Sequence, residues 1–329
     1  MVIEKILKEL TPERAKKEIE AIQKVKLPPE LQKWIKEYEK VGERDEFIWK
    51  WAYVGWKFFT PRCVEKKYRD SVIITKTYNT ILNVLVDDLA DKRQDRQLLE
   101  EAIKIILKNG ETKNKYLIFN KTDQKYLNFI RKIWKLIQNN IKKYPRYEDF
   151  KDIFEYDYWQ FLNTMRYSYL VNKNPNFINL IEHEAYSHHN MQGMIGMTID
   201  LMCSLNFNIK ELGIFREISW KAQQMGRIGN LIVTWEREIS KNDFTSGVFA
   251  YALEKNIISI KNIGKNEKIK IIKKIKESKI EEYFLEQWER YYNEIDHANK
   301  KIRSYNVDAI LKGSERFLMM HLASKNFDI

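Results

Sequence analysis

Apolar residues recur at steps of three and four through nearly the whole chain, and no stretch sustains the alternation of a half-buried strand. That period predicts helices almost everywhere. Residues 1–43 predict two short charged helices, interrupted at Leu27-Pro28-Pro29. Aromatic side chains crowd the next segment, Phe47 to Phe59, with Trp49, Trp51, Tyr53, Trp56 and Phe58 between, which suits a core helix. Thr60-Pro61 ends it, because the residue before a proline is pushed out of helical conformation. A long helix is predicted from about Val64 to Leu89, and two more over residues 97–143 around a Lys/Asn-rich loop near Asn109-Gly110. Another covers 147–171, and another runs from Phe215 to Ser240; Lys173-Asn174-Pro175-Asn176 reads as a turn.

Glycine and proline, 11 and 6 in 329 residues, are too scarce to punctuate a β-rich fold, so the expected class is all-α. No composition shift or repeat marks a boundary. The expectation is one domain over residues 1–329, with 1–43 packed on it. Lys and Arg exceed Asp and Glu by 58 to 46, a net +12, but the basic residues are spread out and form no arginine-rich arm or nucleic-acid motif. The charge therefore suits an anionic small molecule as well as it suits a polymer, and no nucleic-acid partner is expected. Cys63 and Cys203 form no C-x-x-C pair and point to a reducing compartment. The N-terminus carries acid early and lacks the apolar core of a signal peptide. The longest nearly uncharged stretch, about Ala185 to Ser204, includes His188, His189, Asn190 and Asp200 and is too polar to span a bilayer. A cytoplasmic protein without a membrane span, monomeric or homodimeric, is expected.

The candidate chemistry begins at Val86-Asp87-Asp88-Leu89-Ala90-Asp91. At about 100° per residue, Asp87 and Asp91 share one helix face, and Thr80, Asn83 and Val84 lie on that face below them. Carboxylates at a helix C-terminus oppose the macrodipole and repel one another unless a cation compensates. Hard oxygen ligands of this kind suit magnesium. The segment His183-Glu184-Ala185-Tyr186-Ser187-His188-His189 does not make a zincin site, because the position four residues after His183 is serine. Gly193 and Gly196, just beyond it, imply a kink or a close approach of backbone to something else.

A second polar stripe lies in the 215–240 helix. Relative to Asn230, the same arithmetic places Lys241 at about 20°, Thr234 at about 40°, Arg227 at about 60° and Glu238 at about 80°. The rest of that helix, with Trp220, Ile228, Leu231, Ile232, Val233 and Trp235, has the look of a buried element. An amide oxygen, a hydroxyl and a carboxylate in line suit one hard cation, and the flanking cations suit phosphate oxygens. Gln223 and Trp220 are placed on the inward side of this helix.

Asp87-Asp88-x-x-Asp91, followed about 140 residues later by Asn230-x-x-x-Thr234-x-x-x-Glu238, resembles the paired motifs of the class I terpene synthases of the microbial type. The resemblance extends over essentially the whole chain in length and helix layout. It implies a single-domain α-helical barrel in which the two motifs face each other. Three magnesium ions, with manganese as a substitute, would bind the diphosphate of a prenyl substrate there. It implies Asp87 as the main bridging ligand with Asp88 and Asp91 as contributors, and Asn230, Thr234 and Glu238 as ligands of the third ion. Arg237 or Lys241 would supply the basic residue beside the triad, and Lys241 lies on the better face. The implied reaction is metal-triggered ionisation of an acyclic prenyl diphosphate, farnesyl before geranylgeranyl, and cyclisation to a terpene hydrocarbon or alcohol.

Two departures stand out. The family's C-terminal Arg-Tyr pair is here Arg303-Ser304-Tyr305, with a residue inserted, so that its diphosphate role rests on the resemblance alone. The upstream sensing arginine is missing, since no arginine lies between Arg166 and Arg216; Arg227 is the candidate for that catalytic role. The competing readings are a prenyl diphosphate synthase or squalene/phytoene-type synthase, which would carry a second Asp-rich motif, and a non-catalytic basic helical binding protein.

Overall fold

The computed structural model describes residues 1–108, 119–262 and 267–325. The loop expected near Asn109-Gly110 lies outside the described residues. Among them every regular element is helical, as the apolar period predicts. In chain order these are α1 (Val2–Glu9), α2 (Pro12–Gln23), α3 (Pro29–Tyr38), α4 (Glu46–Phe58), α5 (Arg69–Asp91), α6 (Arg96–Leu107), α7 (Lys121–Ile141) and α8 (Tyr147–Lys173). They continue with α9 (Leu180–Tyr186), α10 (Gly193–Met202), α11 (Leu212–Ser240), α12 (Gly247–Glu254), α13 (Lys268–Glu277), α14 (Ile280–Asn299) and α15 (Val307–Ala323).

The N-terminal region holds three helices rather than two. Thr11 and Pro12 make a further break: Pro12 sits in the first turn of α2, and the Thr11 hydroxyl caps it by accepting from the Arg14 backbone N–H. The helix expected from Val64 begins at Arg69, after a 3₁₀ turn over Lys66–Tyr68. Its other end runs two residues past Leu89, so Asp91 is the last helical residue and no basic side chain occupies the last turn.

Six helices close a ring. In sequence of contact, α4 packs on α5, α5 on α8, α8 on α10, α10 on α11, α11 on α15, and α15 back on α4. The two motif-bearing helices, α5 and α11, are buried along most of their length, with side chains such as Val72, Ile81, Leu85 and Leu89 on one and Phe215, Ile218, Leu231 and Trp235 on the other fully enclosed. α6 and α7 cover α5 from outside, α13 and α14 cover α11, α1 packs on α14 and α15, and α2 packs on α4 and α15. The ring leaves a central cavity of about 1110 Å³. No helix among the described residues is long and apolar enough to cross a membrane.

Candidate active site

The cavity opens where α5, α8 and α11 all end. Asp87 and Asp91 of α5 and Asn230, Thr234 and Glu238 of α11 line it together, with Arg227, Arg237 and Lys241. The inward face deduced for α5 holds as well, since Thr80, Asn83 and Val84 line the same cavity. Gln223 lines it from α11.

Other predicted residues lie elsewhere. Asp88 is about 100° around the helix from Asp87, and its carboxylate is 2.8 Å from Arg44 Nη2 and 3.2 Å from Lys92 Nζ, outside the lining. It anchors the approach to α4 rather than the cavity wall. Trp220 has the correct angle on α11, but the 3₁₀ turn Ser187–Met191 sits on that part of the face, and the indole packs against His188 and His189 at centroid distances of 6.0 and 4.8 Å. Arg303 is exposed; its backbone N–H donates to Glu211 at 3.1 Å, and its charge acts on the same carboxylate. Tyr305 is buried against Phe215, 4.6 Å between centroids. Phe215 precedes Asn230 by fifteen residues on one helix, about 22 Å along its axis. The link between α14 and α15 therefore lies at the end of the ring away from the carboxylates, and Arg303 and Tyr305 are not part of the site.

Several partners escaped sequence reasoning because long-range packing supplies them. Asp243 follows α11 in a turn whose backbone N–H donates to Glu238 O at 2.9 Å. The Asn172 side chain, one residue before the end of α8, donates to both Asp91 (3.2 Å) and Asp243 (3.3 Å) and accepts from Phe244 N at 2.9 Å. Asn190 donates to Asp87 at 3.0 Å, while its own carbonyl accepts from Asn83 at 2.5 Å. Arg44, Lys92, Arg93 and Lys173 add positive charge around the same opening. The only trace of these residues in the sequence was the interruption near Gly193. There Gln192 adopts a left-handed φ of 53°, and a side chain at Gly193 would meet the Gln223 Cβ at 3.0 Å.

The acids at the opening are buried and close enough to act on one another. Burial, then the charges of Asp243, Asp87 and Glu238, push Asp91 well above the carboxylate range. Burial and the Asp88 charge raise Asp87 despite Arg44, and burial with Asp243 raises Glu238 to about 7. One Glu238 oxygen, Oε2, is buried with no hydrogen-bond partner. Arg227 is buried, donating from Nη1 to Asn230 Oδ1 at 2.7 Å and from Nη2 to Thr245 O at 3.4 Å, while its Nε has no partner. No group of three or more His, Cys, Asp or Glu side chains among the described residues forms a metal cage by itself. Magnesium does not need one: it commonly takes one or two carboxylates and completes its shell with water and substrate phosphates. The orphaned Glu238 oxygen and the all-oxygen donor set fit such an ion.

The deeper part of the cavity is apolar. α4 runs antiparallel to α5, since Arg44 meets Asp88 at one end and Trp56 Nε1 donates to Thr80 Oγ1 (2.8 Å) at the other. Thr80 lies seven residues, about 10 Å, below Asp87. A side chain at Gly196 would come within 2.7 Å of the Trp56 ring, so glycine is what lets α10 close against it. Trp51, Phe59, Met191, Met197 and Phe317 complete this wall. Beneath Trp56, Lys76 Nζ lies 2.6 and 2.7 Å from the two Asp200 oxygens, both residues fully buried.

No protein-family model matches the chain, and no curated protein matches it either.

Proposed function

We propose that this chain is a class I terpene synthase, which ionises an acyclic prenyl diphosphate with magnesium and closes the resulting carbocation into a terpene, releasing diphosphate. The observation that carries the reading is the convergence of Asp87 and Asp91 from one helix with Asn230, Thr234 and Glu238 from another. They meet at the open end of a cavity whose other end is aromatic.

Bound magnesium would supply Lewis-acid charge at the leaving diphosphate. Asp87, Asp91, Glu238, Asn230 and Thr234 are the residues that would hold it. Arg227, Arg237 and Lys241 face the same opening, with Arg44, Lys92, Arg93 and Lys173 around it, and they bind and orient the anion. Arg227 suits the role of a sensing arginine, because its guanidinium is permanently charged, buried and incompletely paired. The apolar wall keeps water from the cation, and its ring faces stabilise positive charge by about 0.5–2 kcal/mol each. The volume, about 1110 Å³ including the opening, accommodates a farnesyl or a geranylgeranyl chain.

The test is incubation with farnesyl or geranylgeranyl diphosphate, with and without magnesium, reading diphosphate release and volatile products by gas chromatography. Chain-elongated products formed with isopentenyl diphosphate would indicate a prenyl diphosphate synthase instead. Absence of any magnesium-dependent diphosphate release from either substrate would overturn the enzyme reading.

A further inference from the structure

Resting on that reading, we infer that His321 is the base that ends the reaction, its Nε2 taking the proton whose loss converts the final carbocation to a neutral alkene. His321 lines the cavity from α15. Its Nδ1 is 3.0 Å from Phe317 O, a carbonyl that can only accept, so Nδ1 carries the ring proton and Nε2 keeps its lone pair. That Nε2 is buried and has no hydrogen-bond partner. Burial lowers the imidazole's basicity to a pKa of about 3 and so keeps it neutral, yet a proton beside a carbocation is acidic enough to transfer to so weak a base.

No other lining side chain among the described residues offers the same chemistry. The lysines and arginines are hydrogen-bond donors without a lone pair to offer, the amides of Asn83, Asn190, Gln192 and Gln223 are not basic, and on the proposed function the carboxylates are committed to the ion. His321 is the one histidine in the lining. Its position also suits the task. The ring meets Trp51 edge-on at 4.8 Å and Phe317 at 4.4 Å, two aromatic rings that attract a passing cation. On its other side it packs on the backbone of α11, where a side chain at Gly229 would come within 3.0 Å of Nδ1. Gly229 adjoins Asn230, which puts the imidazole just inside the diphosphate end.

The step balances. The Nε2 lone pair bonds to the proton, the electrons of the C–H bond become the new C=C bond, and the cation is quenched. The imidazolium then gives its proton to the released diphosphate and returns to the neutral tautomer.

The test compares wild type with His321→Phe, which keeps the ring, and His321→Asn, which keeps a polar group without a basic nitrogen. Products are counted per diphosphate released. The expected result is a large shift in both variants, with the main alkene falling at least about tenfold in share and isomeric alkenes or water-quenched alcohols replacing it. Gly229→Ala, which crowds the ring without removing it, should shift the products in the same direction. Nitrogen-15 NMR of the metal-free, substrate-free protein, with His321 assigned by its loss in His321→Phe, should show a proton on Nδ1 and none on Nε2. An unchanged product ratio in a folded His321→Phe protein that still releases diphosphate would overturn the assignment, as would a proton found on Nε2. Wild type that releases no diphosphate would instead overturn the enzyme reading, leaving the NMR result to stand by itself.

Discussion

The cavity buries carboxylates at both ends and treats them in opposite ways. At the floor, Asp200 is fully enclosed, and the chain supplies its counterion: Lys76 contacts both oxygens and is held in turn by Phe59 O and Thr60 Oγ1 at 3.3 and 3.2 Å. At the opening, burial and neighbouring acids raise Asp87, Asp91 and Glu238, and Arg44, which faces Asp87 as well, is drawn toward Asp88. Burial raises Asp200 to about 7 against the pull of Lys76, whereas at the opening burial and neighbouring charge raise the acids together. The chain completes the ion pair at the floor with its own lysine, whereas the acids at the opening crowd one another among several cations, an arrangement that suits the proposed ion. That difference is what distinguishes scaffold from site here, more than the count of acids in either place.

The sharpest way to break the comparison is to remove one carboxylate from each end. Asp200→Asn strands the Lys76 ammonium in a fully buried position and should cost about 3–5 kcal/mol of stability, read by denaturant unfolding. Asp87→Asn should have the opposite sign in metal-free buffer, a higher thermal midpoint, because it relieves repulsion. With magnesium and substrate present it should lose on the order of 10²–10³-fold in diphosphate release, the cost of losing one preorganised electrostatic partner. Loss of metal-free stability in Asp87→Asn would show that the two ends are built alike.

A pH series separates the ends next. Acids whose folded-state pKa is raised contribute stability that is complete below their unfolded value and is lost as pH rises through the folded one. Metal-free stability should therefore decline from about pH 4, the ordinary carboxylate range, to about pH 7, where Glu238 titrates. Magnesium at pH 8 should restore the part that belongs to the opening and leave the Asp200 part unrecovered. Glu238→Gln should shrink the restorable part, and an equal magnesium response with and without Glu238 would remove that residue from the ion site. The smallest effects are expected at two of the predicted residues found elsewhere. Asp88→Asn should cost about 1–2 kcal/mol through Arg44 and leave the magnesium requirement in place. Arg303→Ala should leave diphosphate release unchanged, and a raised KM there would reinstate the C-terminal arginine.

How much of this was legible in the sequence follows helix geometry closely. One angle per residue put Thr80, Asn83, Val84, Asp87 and Asp91 on one face and Arg227, Asn230, Thr234, Glu238 and Lys241 on another, and both faces meet in the cavity. The same arithmetic sets Asp88 apart, although the motif as a string does not. What was not legible depends on where helices end relative to one another. Asp243 lies in a turn, Asn172 and Asn190 arrive from 81 and 103 residues along the chain, and Trp220 has the right angle at a depth another segment covers. His321 gave no signal, since the role proposed for it depends on which nitrogen Phe317 O engages.

The contact between Arg227 and Asn230 has a consequence for the order of events. The amide oxygen that would take an ion is already occupied by Arg227 Nη1 at 2.7 Å. An ion arriving alone must compete with a guanidinium for that oxygen, and a diphosphate arriving alone must draw the guanidinium away from it. Each ligand thus does part of the other's work, so the two should bind with positive coupling, and the coupling must be the same whichever comes first. On the proposed function, such a site would act as a coincidence detector. It would stay unloaded in a cell rich in magnesium until the substrate's own phosphates release the latch.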